Sequence, residues 1–157
     1  MIARIQTRLL ALAERLSFLG PTLARLTLGL VFVGTGWGKI HDLDKVTSFF
    51  TDLGIPAPGL NAVVASTAEL VCGALLLVGL FSRLAALPLV VTMIVAILTA
   101  KRPELHGLRD LAGFEEWTYI VLASWIALAG PGPISLDRVL RGLWRKAGES
   151  TARIAMV

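Results

Sequence analysis

The chain has 157 residues, of which 55% are hydrophobic and only 17% charged, with a formal net charge of +4 and one cysteine. A soluble domain carries about 25% charged residues, and the mean hydropathy here is +0.75, so an ordinary soluble domain is excluded. Cys72 alone supports neither an intramolecular disulfide nor a thiolate cluster.

The length suits a single domain, residues 1–157. Its apolar residues come in blocks, not at one helical or strand period. Blocks at about 19–38, 61–80 and 84–100 meet the roughly 17–25 residues that a spanning helix needs, and a fourth, short block runs from Glu116 to Ala129 and extends to Pro131, about 116–131. The expected fold is an all-α membrane protein, a bundle of four transmembrane helices. An N-terminal interfacial helix, a short outer-surface or reentrant helix and a basic C-terminal helix accompany it.

A pI near 9.8 raises the question of nucleic acid, but the placement of charge argues for lipid. Nine basic residues lie at the termini and in one short turn: Arg4, Arg8, Arg15, Arg83, Arg138, Arg141, Arg145, Lys146 and Arg153. Five lie in the other loops: Lys39, Lys45, Lys101, Arg102 and Arg109. The positive-inside rule then places both termini in the cytoplasm and segments 39–60 and 101–115 outside, and anionic lipid accounts for the basic face without nucleic acid.

In chain order, Met1–Ser17 has no h-region followed by a small-residue cleavage site. Ile2, Ile5, Leu9, Leu12 and Leu16 share one helical face opposite the arginines, the pattern of an interfacial helix. Span one follows Gly20-Pro21, and its Gly29, Gly34, Gly36 and Gly38 permit close approach of another helix. Trp37 sits at the interface. Lys45–Leu53 is amphipathic through Val46, Phe49, Phe50 and Leu53, as for a helix on the outer surface or folded back over the bundle mouth. The turn Phe81-Ser-Arg83 makes spans two and three antiparallel neighbours. Pro88 interrupts the backbone bonding of span three, and after Gly130-Pro-Gly-Pro133, Ser135 or Asp137 is expected to cap the C-terminal helix.

Arg25 and Glu69 are the charged residues lying inside these spans, away from their ends. A charge at bilayer depth costs at least about 2.5–3.5 kcal/mol and is usually paired or used. By the helical rise, Arg25 lies roughly 9 Å and Glu69 roughly 16 Å from the cytoplasmic ends of their spans, a difference that an arginine can bridge. The expectation is an intramembrane Arg25/Glu69 pair, either a structural ion pair or a site where Glu69 exchanges a proton with a quinone-like group and Arg25 stabilises an oxyanion. Trp37, Lys39 and Arg83 are further candidate cofactor-binding residues. His41 and His106 both fall on the outer side and are candidates for a metal or haem site, though no H-x-x-x-H spacing supports one.

The segments Arg25-Leu-Thr-Leu-Gly-Leu-Val-Phe, Gly38-Lys39, Leu53-Gly-Ile-Pro56, Glu69-Leu-Val-Cys-Gly73, Gly79-Leu-Phe-Ser-Arg83 and Gly130-Pro-Gly-Pro-Ile-Ser-Leu-Asp137, in this order, resemble the DoxX family of small bacterial membrane proteins. Trp37-Gly-Lys-Ile-His-Asp-Leu-Asp-Lys45 resembles its subgroup found near metal-stress genes. The resemblance implies a four-helix protein of the bacterial inner membrane and a framework of Arg25, Glu69 and Arg83. Relatives are named as subunits of a thiosulfate:quinone oxidoreductase or as anchors of stress-handling assemblies. The expected function is an accessory subunit of a redox or stress-response system, with quinone as the cofactor, a protein partner in a membrane complex and a homo-oligomer as further expectations. The alternatives are a non-enzymatic scaffold or permease-like partner for metal and stress handling, and a haem or metal binder.

Overall fold

The computed structural model describes residues 2–142, and all regular structure among them is helical. The helices are α1 (Ile2–Leu16), α2 (Leu19–His41), α3 (Leu43–Asp52), α4 (Pro58–Val78), α5 (Ser82–Thr99), α6 (Leu108–Gly113) and α7 (Glu115–Ala129), with a 3-10 turn at Arg102–Glu104. A further helical stretch occupies 136–142. The remainder of the expected basic C-terminal helix, with Arg145, Lys146 and Arg153, lies outside the described residues.

Local chemistry sets the helix ends. Pro58 opens α4 at a position where its missing N–H costs nothing. Gly79, at φ 72°, ends α4 in the left-handed conformation. The Leu80 N–H then donates to the Leu75 carbonyl at 2.9 Å, the long-range bond of a Schellman motif. Asp42 starts α3 by accepting from the Lys45 N–H at 3.4 Å. Between α1 and α2 there is only a turn at Ser17–Phe18.

Helix α2 packs on α4, α4 on α5, α5 on α7, and α7 returns to α2, closing a four-helix bundle. Its core holds Leu28, Phe32, Cys72, Leu76, Ala86, Leu89, Ala123 and Ile126. The α2–α4 seam depends on small residues, as membrane helices without a hydrophobic drive between them require. A Cβ on Gly29 would lie 2.7 Å from Leu77 Cγ, one on Gly73 would lie 2.7 Å from the Val33 nitrogen, and one on Gly36 would overlap the Leu70 backbone. Gly34 and Gly38 differ from expectation, since a Cβ on either would meet nothing within 4 Å. They point away from this seam.

The outward faces carry exposed Leu23, Leu30, Val71, Val78, Leu84, Leu87, Leu98, Val121 and Leu128. Such an apolar exterior around an apolar core suits lipid on all sides. Three stretches are long and apolar enough to cross a membrane: Arg8–His41, Pro58–Val78 and Ser82–Thr99. The expected fourth span, the short block at 116–131, corresponds to α7. Helix α7 has 15 residues, about 22 Å of rise against a hydrocarbon core of about 30 Å, and it stops before Gly130, whose φ is 95°.

Capping at the C-terminal side also departs from expectation. The Asp137 carboxylate does not cap its own helix. It accepts from the Phe81 and Ser82 N–H groups at 2.7 and 3.0 Å and so caps α5, while the Asp137 N–H donates to the Gly79 carbonyl at 2.9 Å. The Gly130–Asp137 segment is thus latched onto the α4–α5 turn.

Candidate functional site

Glu69 sits near the middle of α4 and is 2% exposed. Thr35 and Lys39, one turn apart on α2, face it. Lys39 Nζ lies 2.6 Å from Glu69 Oε1, and Thr35 Oγ1 donates to Glu69 Oε2 at 3.0 Å. Each carboxylate oxygen therefore has a partner, the condition under which a buried charge is tolerated. The Lys39 side chain, 36% exposed, runs its methylenes along the bundle and turns its ammonium inward.

This ion pair borders a cavity of about 1000 Å³ between α2, α3, α4 and α5. Val46, Phe49, Phe50 and Leu53 of α3 form one wall, and Pro88, Thr92, Met93 and Thr99 of α5 form the opposite one. Gly34 and Gly38 line it as well, and the space left by their missing side chains is part of its volume. Val64, Val91 and Val95 also line the cavity and are exposed on the bundle exterior, so the mouth opens sideways. Thr92 and Thr99 bond their own helix, donating to the Leu89 and Val95 carbonyls at 3.0 and 2.7 Å. Lys39, Glu69 and Thr35 form the inner polar cluster, and Asp42, Lys45 and Asn61 add polar groups to the lining, with Asn61 Nδ2 donating to the Pro56 carbonyl at 2.6 Å. An apolar chamber with a few convergent polar groups is the usual form of a small-molecule site.

The expected Arg25/Glu69 pair does not form. Arg25 is 4% exposed, but its guanidinium lies against Gly79 and Ser135. Along α4, Gly79 is ten residues from Glu69, about 15 Å of helix. The two helices are staggered: α2 begins beyond the end of α4, so its first turns pass the α4–α5 turn before the two run side by side. Arg25 Nε and Nη1 have no hydrogen-bond partner; the Asp137 carboxylate supplies the opposing charge.

Of the other candidates, Lys39 joins Glu69 in the site, whereas Trp37 and Arg83 do not line the cavity. The Trp37 ring packs against His41 at 4.4 Å between centroids, tilted by 42°, and is exposed. Arg83 lies at the opposite end, its Nη2 donating to the Ala129 carbonyl at 3.4 Å. His41 bonds the Trp37 carbonyl through Nδ1 at 2.9 Å. His106 Nδ1 lies 3.2 Å from the Glu104 carbonyl and 3.9 Å from Asp110 Oδ2. Each histidine is engaged with its own segment, and the described residues contain no group of three or more His, Cys, Asp or Glu arranged for a metal. Thr35 escaped the sequence reading; its four-residue spacing from Lys39 was the available signal. Cys72 is buried in the core, as a small apolar filler is.

The DoxX family model matches residues 20–102. The chain is 35% identical over 127 residues to an uncharacterized membrane protein of Mycobacterium tuberculosis, covering 74% of this chain and 78% of that one. It is 31% identical over 123 residues to the inner membrane protein YphA of Escherichia coli, covering 74% and 86%. To CatD of Bacillus subtilis, whose name carries a provisional oxidoreductase assignment, it is 30% identical over 121 residues, covering 76% and 85%. No solved structure matches. The matched region contains α2 to α5 and with them the Lys39–Glu69 pair and every wall of its cavity; this chain belongs to the DoxX family and is an all-α membrane protein.

Proposed function

We propose that this protein is an accessory subunit of an inner-membrane redox system that binds a quinone in the cavity above Lys39 and Glu69. The observation that carries the reading is the combination of about 1000 Å³ of mainly apolar space with a buried, fully partnered carboxylate at its edge. A quinone has the matching chemistry: an apolar tail for the walls of α3 and α5, and ring oxygens that accept from Lys39 as the carbonyl and donate to Glu69 as the hydroxyl. Bound there, it would supply two-electron, two-proton chemistry. This chain would orient the ring, exclude water with α3 and hold a proton at Glu69. Electrons would be exchanged with a separate protein. The oxidoreductase wording in the name of CatD supports the same direction. Both termini lie in the cytoplasm on this reading, by the excess of basic residues there, and the cavity lies toward the outer leaflet.

The test is a titration of the full chain in lipid nanodiscs with a short-tailed quinone, followed by tryptophan fluorescence. Saturable binding is expected, with Glu69→Gln and Lys39→Met each weakening it about tenfold, as for loss of a charge-assisted bond in a desolvated site. Gly38→Leu, which fills the cavity, is expected to abolish it. Equal affinity in wild type and all three variants would refute the placement.

A further inference from the structure

A second cavity, of about 640 Å³, lies at the other end of the bundle. Arg83, Arg138 and Arg141 line it together with the Ala129–Pro133 turn and Gly142, and no acidic side chain lines it among the described residues. Two of the arginines are held in place by backbone carbonyls. Arg83 Nη2 donates to Ala129 O at 3.4 Å and Arg141 Nε to Asp137 O at 3.2 Å. These bonds leave other N–H groups of both guanidinium forks able to donate. Gly130 is needed here, because a Cβ on it would lie 3.3 Å from Arg83 Nε and its φ is 95°. The nearest carboxylate in sequence, Asp137, is turned away and occupied by the Phe81 and Ser82 N–H groups.

Beneath the same latch lies Arg25, buried, with Nε and Nη1 unpartnered. This end of the bundle therefore concentrates positive charge, part of it removed from water. Planar guanidinium forks match the oxygens of a tetrahedral phosphate, and the helix ends here fall where the hydrocarbon of a bilayer gives way to its headgroups.

We propose that the Arg83–Arg138–Arg141 cavity is a binding site for a phosphate-type oxyanion, either the phosphodiester of an anionic lipid or soluble phosphate. It would seat the anion against the Gly130–Pro133 turn, tie the C-terminal segment to the α4–α5 turn and offset the charge enclosed at Arg25. The site is independent of the quinone cavity.

The full-length protein is purified from mixed phosphatidylglycerol and phosphatidylcholine membranes, its retained lipid measured by mass spectrometry, and its melting compared in phosphate and in chloride of equal ionic strength. Enrichment of phosphatidylglycerol identifies the lipid source, and stabilisation by phosphate identifies the soluble one. In either case the effect is expected to weaken roughly fivefold for each arginine removed in Arg138→Gln, Arg141→Gln and their double variant, from about 1 kcal/mol per basic residue at a membrane surface. Arg102→Gln/Arg109→Gln, which removes the same charge at the other end, should change neither. The proposal is overturned if wild type shows no preference for either anion, if the double variant keeps it, or if the control loses it equally.

Discussion

The two ends of the α2–α4 pair handle a buried charge in opposite ways. At one end Glu69 is enclosed but answered on both oxygens, by Lys39 and Thr35, beside open space. At the other end Arg25 is enclosed in dense packing against Gly79 and Ser135, with two of its nitrogens unpartnered. Cavity and direct hydrogen-bonded pairing occur together in one place, and tight packing with only the more distant Asp137 charge in the other. The first arrangement offers a ligand both room and partners. The packing immediately around Arg25 offers neither, and it sits beneath the C-terminal latch over the α4–α5 turn.

The largest effect that would break this contrast is expected from the glycines. Gly36→Leu should drive α2 off the Leu70 backbone and prevent recovery of folded protein in detergent, as overpacking at a backbone–backbone contact allows no local relaxation. Gly34→Ala should melt within about 0.5 kcal/mol of wild type, as substitutions away from close contacts do. Equal behaviour of the two in a thermal-melting assay would erase the distinction between seam and cavity glycines.

Next comes the buried ion pair. Lys39→Met strands the Glu69 carboxylate with a hydroxyl alone and should cost on the order of 2 kcal/mol, reduced from a fully buried pair by the partial exposure of Lys39. The Lys39→Met/Glu69→Met double variant should recover most of that loss. A double-mutant cycle on melting temperatures measures the coupling, and a value near zero would contradict a working pair. Asp137→Ala removes the acceptor for two N–H groups at the start of α5 and should cost about 1 kcal/mol in the same assay. Arg25→Met is expected to have the smallest effect, within about 1 kcal/mol, because an apolar chain of similar volume replaces a charge that makes no direct ion pair. A loss as large as that of Lys39→Met would show the two ends to be alike.

Much of the fold was legible in the chain because lipid imposes length and hydropathy directly. Blocks at 19–38, 61–80 and 84–100 became α2, α4 and α5 with ends shifted by a few residues, and the amphipathic run at 45–53 became α3. The site was less legible. Hydropathy locates a residue relative to its own helix end, whereas pairing depends on the stagger between helices, and the overhang of α2 past Gly79 has no signature in composition. Lys39 stood out as a candidate cofactor-binding residue, but its pairing with Glu69 did not, since nothing local shows that a flexible chain turns inward. Glycines at 29, 34, 36 and 38 are identical letters, and only the helix phase separates those that touch α4 from those that face empty space.

The lateral mouth rimmed by Val64, Val91 and Val95 determines how occupancy must be counted. A molecule reaching that opening arrives dissolved in the acyl chains, so its effective concentration is a mole fraction of lipid and not a molarity in buffer. Dissociation constants measured in a fixed volume should therefore rise in proportion to added lipid, and detergent tails, sharing the same route, become competitors.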